Sequence, residues 1–522
     1  MAEPERIIGL PTEDGRTALV EHRSDASLLT VLDAEGRWVG APIGLEGCQL
    51  LPSPVDFALA IGLRRTRSGS RVLLVRHDGV AELADIEAPL VHGWPFGTSR
   101  MLLGAADGTA YLLDLRSGRV ERLPEELIPA GAVLLGVGGE RFLLAEQEDP
   151  GWRLLLGSLR EPPRPLPLPA EAGRATPVAV RPDGRQLALV VDRGATSQLM
   201  LLDEDGAHTI AHGPATLMPA AAWTADGLWG IGSSPDRPPG YYWFAPTGVP
   251  LRWSAPAEAG PAPRLERFEG ADGGELEAIV YGPDWRAAER VVLALHGGPR
   301  DHWRMAFDPS LRILAAAGVC VIAINQRGST GYGSEFELAI RGCWGGPDLA
   351  DVRAVADQLR RLRPAGSLAP GLWGTSYGAF LALLAAAAEP DGWTGCVAIS
   401  PFASVERLYA VASARVRALI ERLDARRPVD DDLGARDLVR LGPRIRCPVL
   451  IVHGRLDERI PVDQARAIVS AIDASAARVR YLELPDRGHA VLRPHPHDAV
   501  LRAASALLGG AAITTCSLEE VK

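Results

Sequence analysis

Two patterns of apolar and polar positions divide this chain. Over roughly residues 5–255, apolar or alternating runs of four to seven residues recur, among them 71–75, 101–104, 110–115, 141–145, 186–191 and 198–202. Turn dipeptides separate them: Asp14-Gly15, Asp78-Gly79, Asp107-Gly108, Asp183-Gly184, Asp205-Gly206 and Asp226-Gly227. Asp-Gly between such runs is a strong hairpin signal, because glycine enters the positive-φ positions that tight hairpin turns require. No convincing amphipathic helix interrupts the series. From about residue 265 the period changes. Fully apolar runs at Val291–Leu295, 319–324, up to Trp373, 448–452 and Val479–Leu484 read as strands buried on both faces. They alternate with helical patterns at Tyr377–Ala388, 462–472 and 498–508. Strands alternating with helices predict a doubly wound, mostly parallel sheet.

The front region carries weak repetition. Ala179-Val180-Arg181-Pro182-Asp183-Gly184 and Ala222-Trp223-Thr224-Ala225-Asp226-Gly227 look like two copies of one hairpin, 43 residues apart. At about 36–45 residues per repeat, the region fits a β-propeller of six or seven blades. A pair of packed β-sheets is the alternative. Residues 256–264, rich in Pro, Ala and Gly, read as a linker. The expected division is therefore 1–255 propeller, 265–510 α/β domain and 511–522 a flexible tail.

Composition narrows the function classes. A chain of 522 residues exceeds one core, so more than one domain is expected. A net charge of -10 argues against nonspecific nucleic-acid binding. No run of about 20 apolar residues suggests a membrane span, and the first residues lack the pattern of a signal peptide. Six scattered cysteines show no metal-like spacing and suit a cytoplasmic protein. No metal or organic cofactor is expected, and a homo-oligomer is compatible with all of this.

The chemistry-bearing residues cluster after the predicted strands. Gly374-Thr375-Ser376-Tyr377-Gly378 lies between a strand and a helix, the context of a nucleophile elbow. Such a turn lifts the serine oxygen above the sheet edge and needs small residues on both sides. A serine nucleophile needs a base and an acid that orients it; in the α/β-hydrolase order the acid comes first, then the histidine. Asp457 follows one buried strand, and His489, 32 residues later, follows the next. Glu458 and Asp486 are alternative acids. His453, His495 and His497 fit the base less well. His296-Gly297-Gly298-Pro299 follows the strand Val291–Leu295, where lipases and esterases place oxyanion-hole turns. Gly297 or Gly298 and the N–H of Tyr377 are thus the oxyanion candidates.

Taken in order, His296-Gly297-Gly298-Pro299, Asn325-Gln326-Arg327-Gly328-Ser329-Thr330-Gly331-Tyr332-Gly333, Trp344-Gly345-Gly346 with Asp348 and Asp351, and the elbow itself resemble the prolyl oligopeptidase family of serine peptidases. The subgroup most similar is that of acylaminoacyl peptidases. The resemblance covers about half the chain and implies an α/β-hydrolase domain preceded by a β-propeller, with Ser376, Asp457 and His489 as triad. It departs at Ala379, where a second glycine is usual, and in the short front half. It also implies an arginine holding a substrate carbonyl, for which Arg417 is the candidate; a solvated arginine on a helix face is the other reading.

These residues point to acyl transfer through Ser376. The leading expectation is a serine peptidase acting on short or modified peptides. Ester or amide hydrolysis, or acyl transfer, on a small molecule uses the same chemistry and stays open. A non-catalytic propeller scaffold is a third reading, from a different class.

Overall fold

The computed structural model describes residues 262–509 except 428, 430, 474–477 and 493–497, most of residues 60–244, and five strands between residues 6 and 52. The expected turns at Asp14-Gly15, Asp183-Gly184 and Asp205-Gly206, linker residues 256–261 and the tail 511–522 lie outside these residues.

Six antiparallel sheets follow one another along the front of the chain. The first comprises Arg6–Pro11, Thr17–His22, Ala26–Leu32 and Ile43–Glu46; the second Cys48–Pro52, Ala60–Arg65, Ser70–Arg76 and Gly79–Ile86. The third runs from Leu90–Phe96 to Val120–Arg122, the fourth from Val133–Gly138 to Arg164–Pro165 and the fifth from Ala175–Val180 to His208–Ala211. The sixth has three described strands, Thr216–Thr224, Gly227–Ser234 and Arg237–Phe244. Strand alternation explains how they stack. In Arg100–Ala105, Met101 and Leu103 pack toward Leu51, Ile61 and Val72 of the second sheet, while Leu102 packs toward Leu134 and Phe142 of the fourth. The third, fourth and fifth sheets thus each bury two faces against their neighbours, and the opening strands of the second to sixth sheets lie beside one another in succession. That is the arrangement of propeller blades. The described starts of the two motif copies, Ala179-Val180 and Ala222-Trp223-Thr224, occupy equivalent places at the ends of the first strands of the fifth and sixth sheets. The Asp107-Gly108 turn forms as expected: Gly108 has φ +87°, and Asp107 Oδ1 accepts from Thr109 N at 2.9 Å.

Behind them lies an eight-stranded sheet. Its strands, in chain order, are β1 (Arg264–Glu269), β2 (Glu275–Tyr281), β3 (Val291–Leu295), β4 (Cys320–Ile324), β5 (Gly371–Thr375), β6 (Cys396–Ile399), β7 (Val449–Gly454) and β8 (Val479–Leu484). Their spatial order is β1-β2-β4-β3-β5-β6-β7-β8. β2 is antiparallel to both neighbours and the pairs from β4 to β8 are parallel. The central strands are apolar throughout because helices cover both faces. In β3, Val291, Leu293 and Leu295 face one core while Val292 and Ala294 face the other. Helix α1 (Pro309–Ala316) and, on the same face, α7 (Ala499–Leu508) pack in the second core. Helices α2 (Pro347–Leu362), α3 (Tyr377–Ala388) and α6 (Asp463–Asp473) pack in the first. Helix α3, YGAFLALLAAAA, is buried over its first eleven residues; its apolar residues occupy every side because core surrounds it. No helix among the described residues is long and apolar enough to cross a membrane.

The propeller touches the α/β sheet through a hairpin tip. Ala195 is fully buried in the second core. Its N–H donates to Glu277 Oε2 at 2.9 Å, and its carbonyl accepts from Met305 N at 2.7 Å. Gly194 N donates to Gly331 O at 2.9 Å, so the tip reaches the glycine-rich loop that follows β4.

Candidate active site

Chain crowding forces the turn that presents Ser376. A Cβ on Gly374 would lie 2.1 Å from Gly378 O, and one on Gly378 would lie 2.2 Å from Leu295 O. Neither position has room for a side chain, whereas Ala379 fits, fully buried in α3. Ser376 itself takes φ +56°, ψ −117°, a conformation that costs a non-glycine residue about 1–3 kcal/mol. Its N–H donates to Ile399 O at 2.7 Å, tying the turn to β6.

Asp457 stands on the loop after β7 and His489 on the loop after β8. His489 Nδ1 lies 2.7 Å from Asp457 Oδ2, and Nε2 lies 3.1 Å from Ser376 Oγ. With the proton on Nδ1 donated to the carboxylate, Nε2 is left to accept from the serine hydroxyl. Of the other acids, Glu458 is exposed, and the Asp486 side chain is 67% exposed beside Arg487. Asp457 is held from several sides. Its Oδ1 accepts from Arg459 N at 2.8 Å and Ile460 N at 2.9 Å. Burial pushes its carboxyl up, but hydrogen bonds from His453, His489 and the Ile460 N–H outweigh burial and hold it well below the usual carboxylate range.

His453, weighed from the sequence only as a weaker base, sits instead against Asp457. It is fully buried, with Nε2 2.8 Å from Ile460 O and 3.3 Å from Asp457 Oδ2. The strand β7 places it and Asp457 four residues apart, the only signal in the sequence that could have flagged it.

The oxyanion candidates divide. A Cβ on Gly297 would sit 3.5 Å from Ser376 Cβ, so its backbone runs beside the nucleophile. At Gly298, with φ +119° before a cis peptide to Pro299, a Cβ would instead sit 2.8 Å from Arg300 N and 3.0 Å from Asp301 N. Tyr377 is the first residue of α3, where an N–H has no intrahelical acceptor. Its ring is enclosed by Trp344, Phe380 and Phe402, and its hydroxyl donates to Asp348 Oδ2 at 2.5 Å. His296 is buried on the same loop, with Nε2 2.7 Å from Ser329 Oγ; burial lowers its pKa and favours the neutral ring.

Ser376 and His489 open onto a cavity of about 1090 Å³. Trp344, Phe402, Leu408, Val416 and Leu419 give it an apolar wall, and Arg422 and Arg459 also line it. Arg417 is not brought there. It is exposed on helix α5 (Ala414–Arg422) and does not line the cavity. Val416, Leu419 and Ile420 are neighbours on one helical face, and Arg417 is turned about 100° from Val416.

Fold and site together define a class: an α/β-hydrolase domain with a Ser–His–Asp arrangement at its strand ends, joined to a β-propeller. The comparisons narrow it. The resemblance to the prolyl oligopeptidase family is shown by its family model, which matches residues 305–508. The acylamino-acid-releasing enzyme of Rattus norvegicus is 26% identical over 241 residues, covering 44% of this chain and 33% of that protein. The dipeptidyl aminopeptidase BIII of Pseudoxanthomonas mexicana is 29% identical over 216 residues, 40% of this chain and 31% of that one. The chain thus matches about a third of the length of these curated relatives. Among solved structures, an acylaminoacyl peptidase in complex with Z-Gly-Gly-Phe-chloromethyl ketone aligns with TM-score 0.71 at 16% identity, over 98% of this chain and 95% of that one. A puromycin-hydrolyzing peptidase of Mycobacterium tuberculosis aligns with TM-score 0.69 at 20% identity, over 97% and 86%. At these identities the structural matches establish the fold.

Proposed function

We propose that this chain is a serine peptidase of the acylaminoacyl peptidase type, cleaving short or N-terminally modified peptides through an acyl-enzyme on Ser376. The observation that carries the reading is His489, within hydrogen-bond reach of both Ser376 Oγ and Asp457 Oδ2. In this mechanism Ser376 Oγ attacks the substrate carbonyl carbon as its proton passes to His489 Nε2. Asp457 holds the imidazole tautomer and stabilises the imidazolium. N–H groups of Gly297 or Gly298 and of Tyr377 take the oxyanion. The C–N bond breaks, His489 returns the proton to the leaving amine, and water attacks the acyl ester by the same route in reverse.

The division of the chain belongs to this reading. Residues 1–255 form the propeller, with the six sheets as six blades; 256–264 link it to the catalytic domain, 265–510. A propeller mounted beside the strand ends restricts entry to short chains. The apolar cavity wall favours an apolar side chain at the cleaved bond. The free thiols among the described residues suit a cytoplasmic location.

The similarity to puromycin-hydrolyzing peptidases supports a second reading, hydrolysis of an aminoacyl amide of a small molecule. A panel separates the two: N-acetylaminoacyl and free aminoacyl p-nitroanilides, puromycin, and simple acyl esters, each with wild type and Ser376→Ala. Preferential turnover of the acetylated anilides, lost by several orders of magnitude in the variant, is the expected result. Turnover of puromycin or esters alone would overturn the peptidase reading while keeping the chemistry.

A further inference from the structure

Next to the nucleophile lies a buried polar pair that the mechanism above does not use. Asp348 is fully buried at the start of α2, and among the described residues its carboxylate makes no salt bridge: Arg327, which it feels only at a distance, pairs with Asp351 and Asp272. It accepts from Leu349 N at 3.0 Å through Oδ1, from the Tyr377 hydroxyl at 2.5 Å through Oδ2, and from the Gly345 backbone. Stability alone would be served better by an apolar residue at 348 and phenylalanine at 377, because a buried carboxylate without a cation is costly. What the pair adds is direction. The ring of Tyr377 touches Trp344 at 5.1 Å, Phe380 at 6.0 Å and Phe402 at 6.3 Å between centroids. These contacts confine the ring without fixing how far it slides along its own axis. The bond to Asp348 fixes that, and with it the residue whose N–H heads α3.

We propose that Asp348 and the Tyr377 hydroxyl form a clasp that positions the Tyr377 N–H as an oxyanion donor and holds Ser376 in its positive-φ conformation. The inference rests on the reading of Ser376 as nucleophile. Three ties converge on this turn. Ser376 N is bonded to Ile399 O on β6, Gly378 is pressed against Leu295 O on β3, and Tyr377 is bonded to Asp348 on α2. A strained residue persists only where its surroundings over-determine it, and the clasp is the tie that reaches the helix layer. Asp348 is therefore a positioning residue: it touches no substrate and acts through Tyr377.

The test compares wild type with Tyr377→Phe, Asp348→Asn and Asp348→Ala, with Ser376→Ala as reference. Each is assayed for kcat and KM on a peptide anilide. Each is also assayed for inhibition by a peptide aldehyde, which forms a tetrahedral adduct on the serine, and by the matching peptide alcohol, which does not. Removing one oxyanion donor typically costs a hundred- to a thousand-fold; displacing one is expected to cost about ten- to a hundred-fold in kcat. Tyr377→Phe and Asp348→Ala should show that loss and weaken the aldehyde by the same factor, with KM and alcohol affinity unchanged. Asp348→Asn should recover most of the activity, because its amide oxygen still accepts from the tyrosine. Should Asp348→Ala not fold, Tyr377→Phe and Asp348→Asn decide the matter. Tyr377→Phe with kcat near wild type, or with equal losses for aldehyde and alcohol, overturns the clasp. Full activity in Ser376→Ala would instead overturn the nucleophile and leave the clasp without a function.

Discussion

Asp348 shows how burial at one residue becomes a pH dependence. Burial pushes its carboxyl up from 3.8 to about 6, although the Tyr377 hydroxyl and the Leu349 and Gly345 backbone oppose the shift. Asp351, Arg327 and Cys343 also interact with it. The folded value exceeds the unfolded one, so the stability this group contributes is fully present below pH 3.8 and is lost as pH rises through about 6. Asparagine has no such loss. Asp348→Asn should therefore gain on wild type in unfolding free energy between about pH 4 and pH 7, by up to ~3 kcal/mol. Urea titrations of both proteins across that range check this; a difference that stays flat with pH contradicts it. Legibility at this scale was uneven. Ser376, Asp457 and His489 could be read because each follows an apolar strand in chain order. Asp348 could not be given a role, because its partner lies 29 residues on and only packing brings them together. Arg417 was named only on the resemblance, with a solvated arginine as the other reading, and it is exposed and does not line the cavity.

Among the elements, the elbow between β5 and α3 depends most on single atoms. Gly378→Ala would set a methyl 2.2 Å from Leu295 O and 2.5 Å from His296 O, both backbone atoms that cannot swing aside. Overpacking of this kind costs about 1–3 kcal/mol or more, and relief would displace Ser376. The variant should unfold at lower temperature and lose most of its activity. Ala379→Gly, one residue further, should cost only about 0.5–1 kcal/mol as a helix-interior glycine and keep the activity. Thermal unfolding and turnover of the two variants check the contrast; equal behaviour would contradict it. The elements themselves were largely readable. β3 and β8 fall where the apolar runs put them, as does α3, and β4, β5, β7, α6 and α7 shift by one or two residues at their ends, whereas β6, α1 and α2 were not anticipated. Sheet order was less so, since the swap of β3 and β4 is set by crossover packing rather than by any local pattern.

For the whole molecule, the structural likeness over nearly the full chain supports the propeller and α/β-hydrolase pairing. The two parts meet at the Gly194-Ala195 tip and at Ser233 and Pro235, contacts no sequence pattern announced because the propeller contributes mostly backbone groups to them. Glu277 is one of the side chains that join them, accepting from Ala195 N at 2.9 Å and from Tyr332 OH at 3.0 Å; Ser233 Oγ also accepts from Phe307 N at 2.8 Å, and Arg312 donates to Pro235 O at 3.0 Å. Glu277→Ala should loosen the contact, losing about 1.5–3 kcal/mol for a charge-assisted bond, and should raise cleavage of longer peptides relative to a tripeptide anilide. An unchanged length preference would place the entry filter elsewhere. The central claim is that Ser376 forms the acyl-enzyme with His489 as base. Labelling with a fluorophosphonate, followed by peptide mapping by mass spectrometry, tests it most directly. The account predicts one adduct, on Ser376, absent from Ser376→Ala and strongly slowed in His489→Ala. An adduct on another residue, or labelling of Ser376→Ala at the wild-type rate, would contradict it.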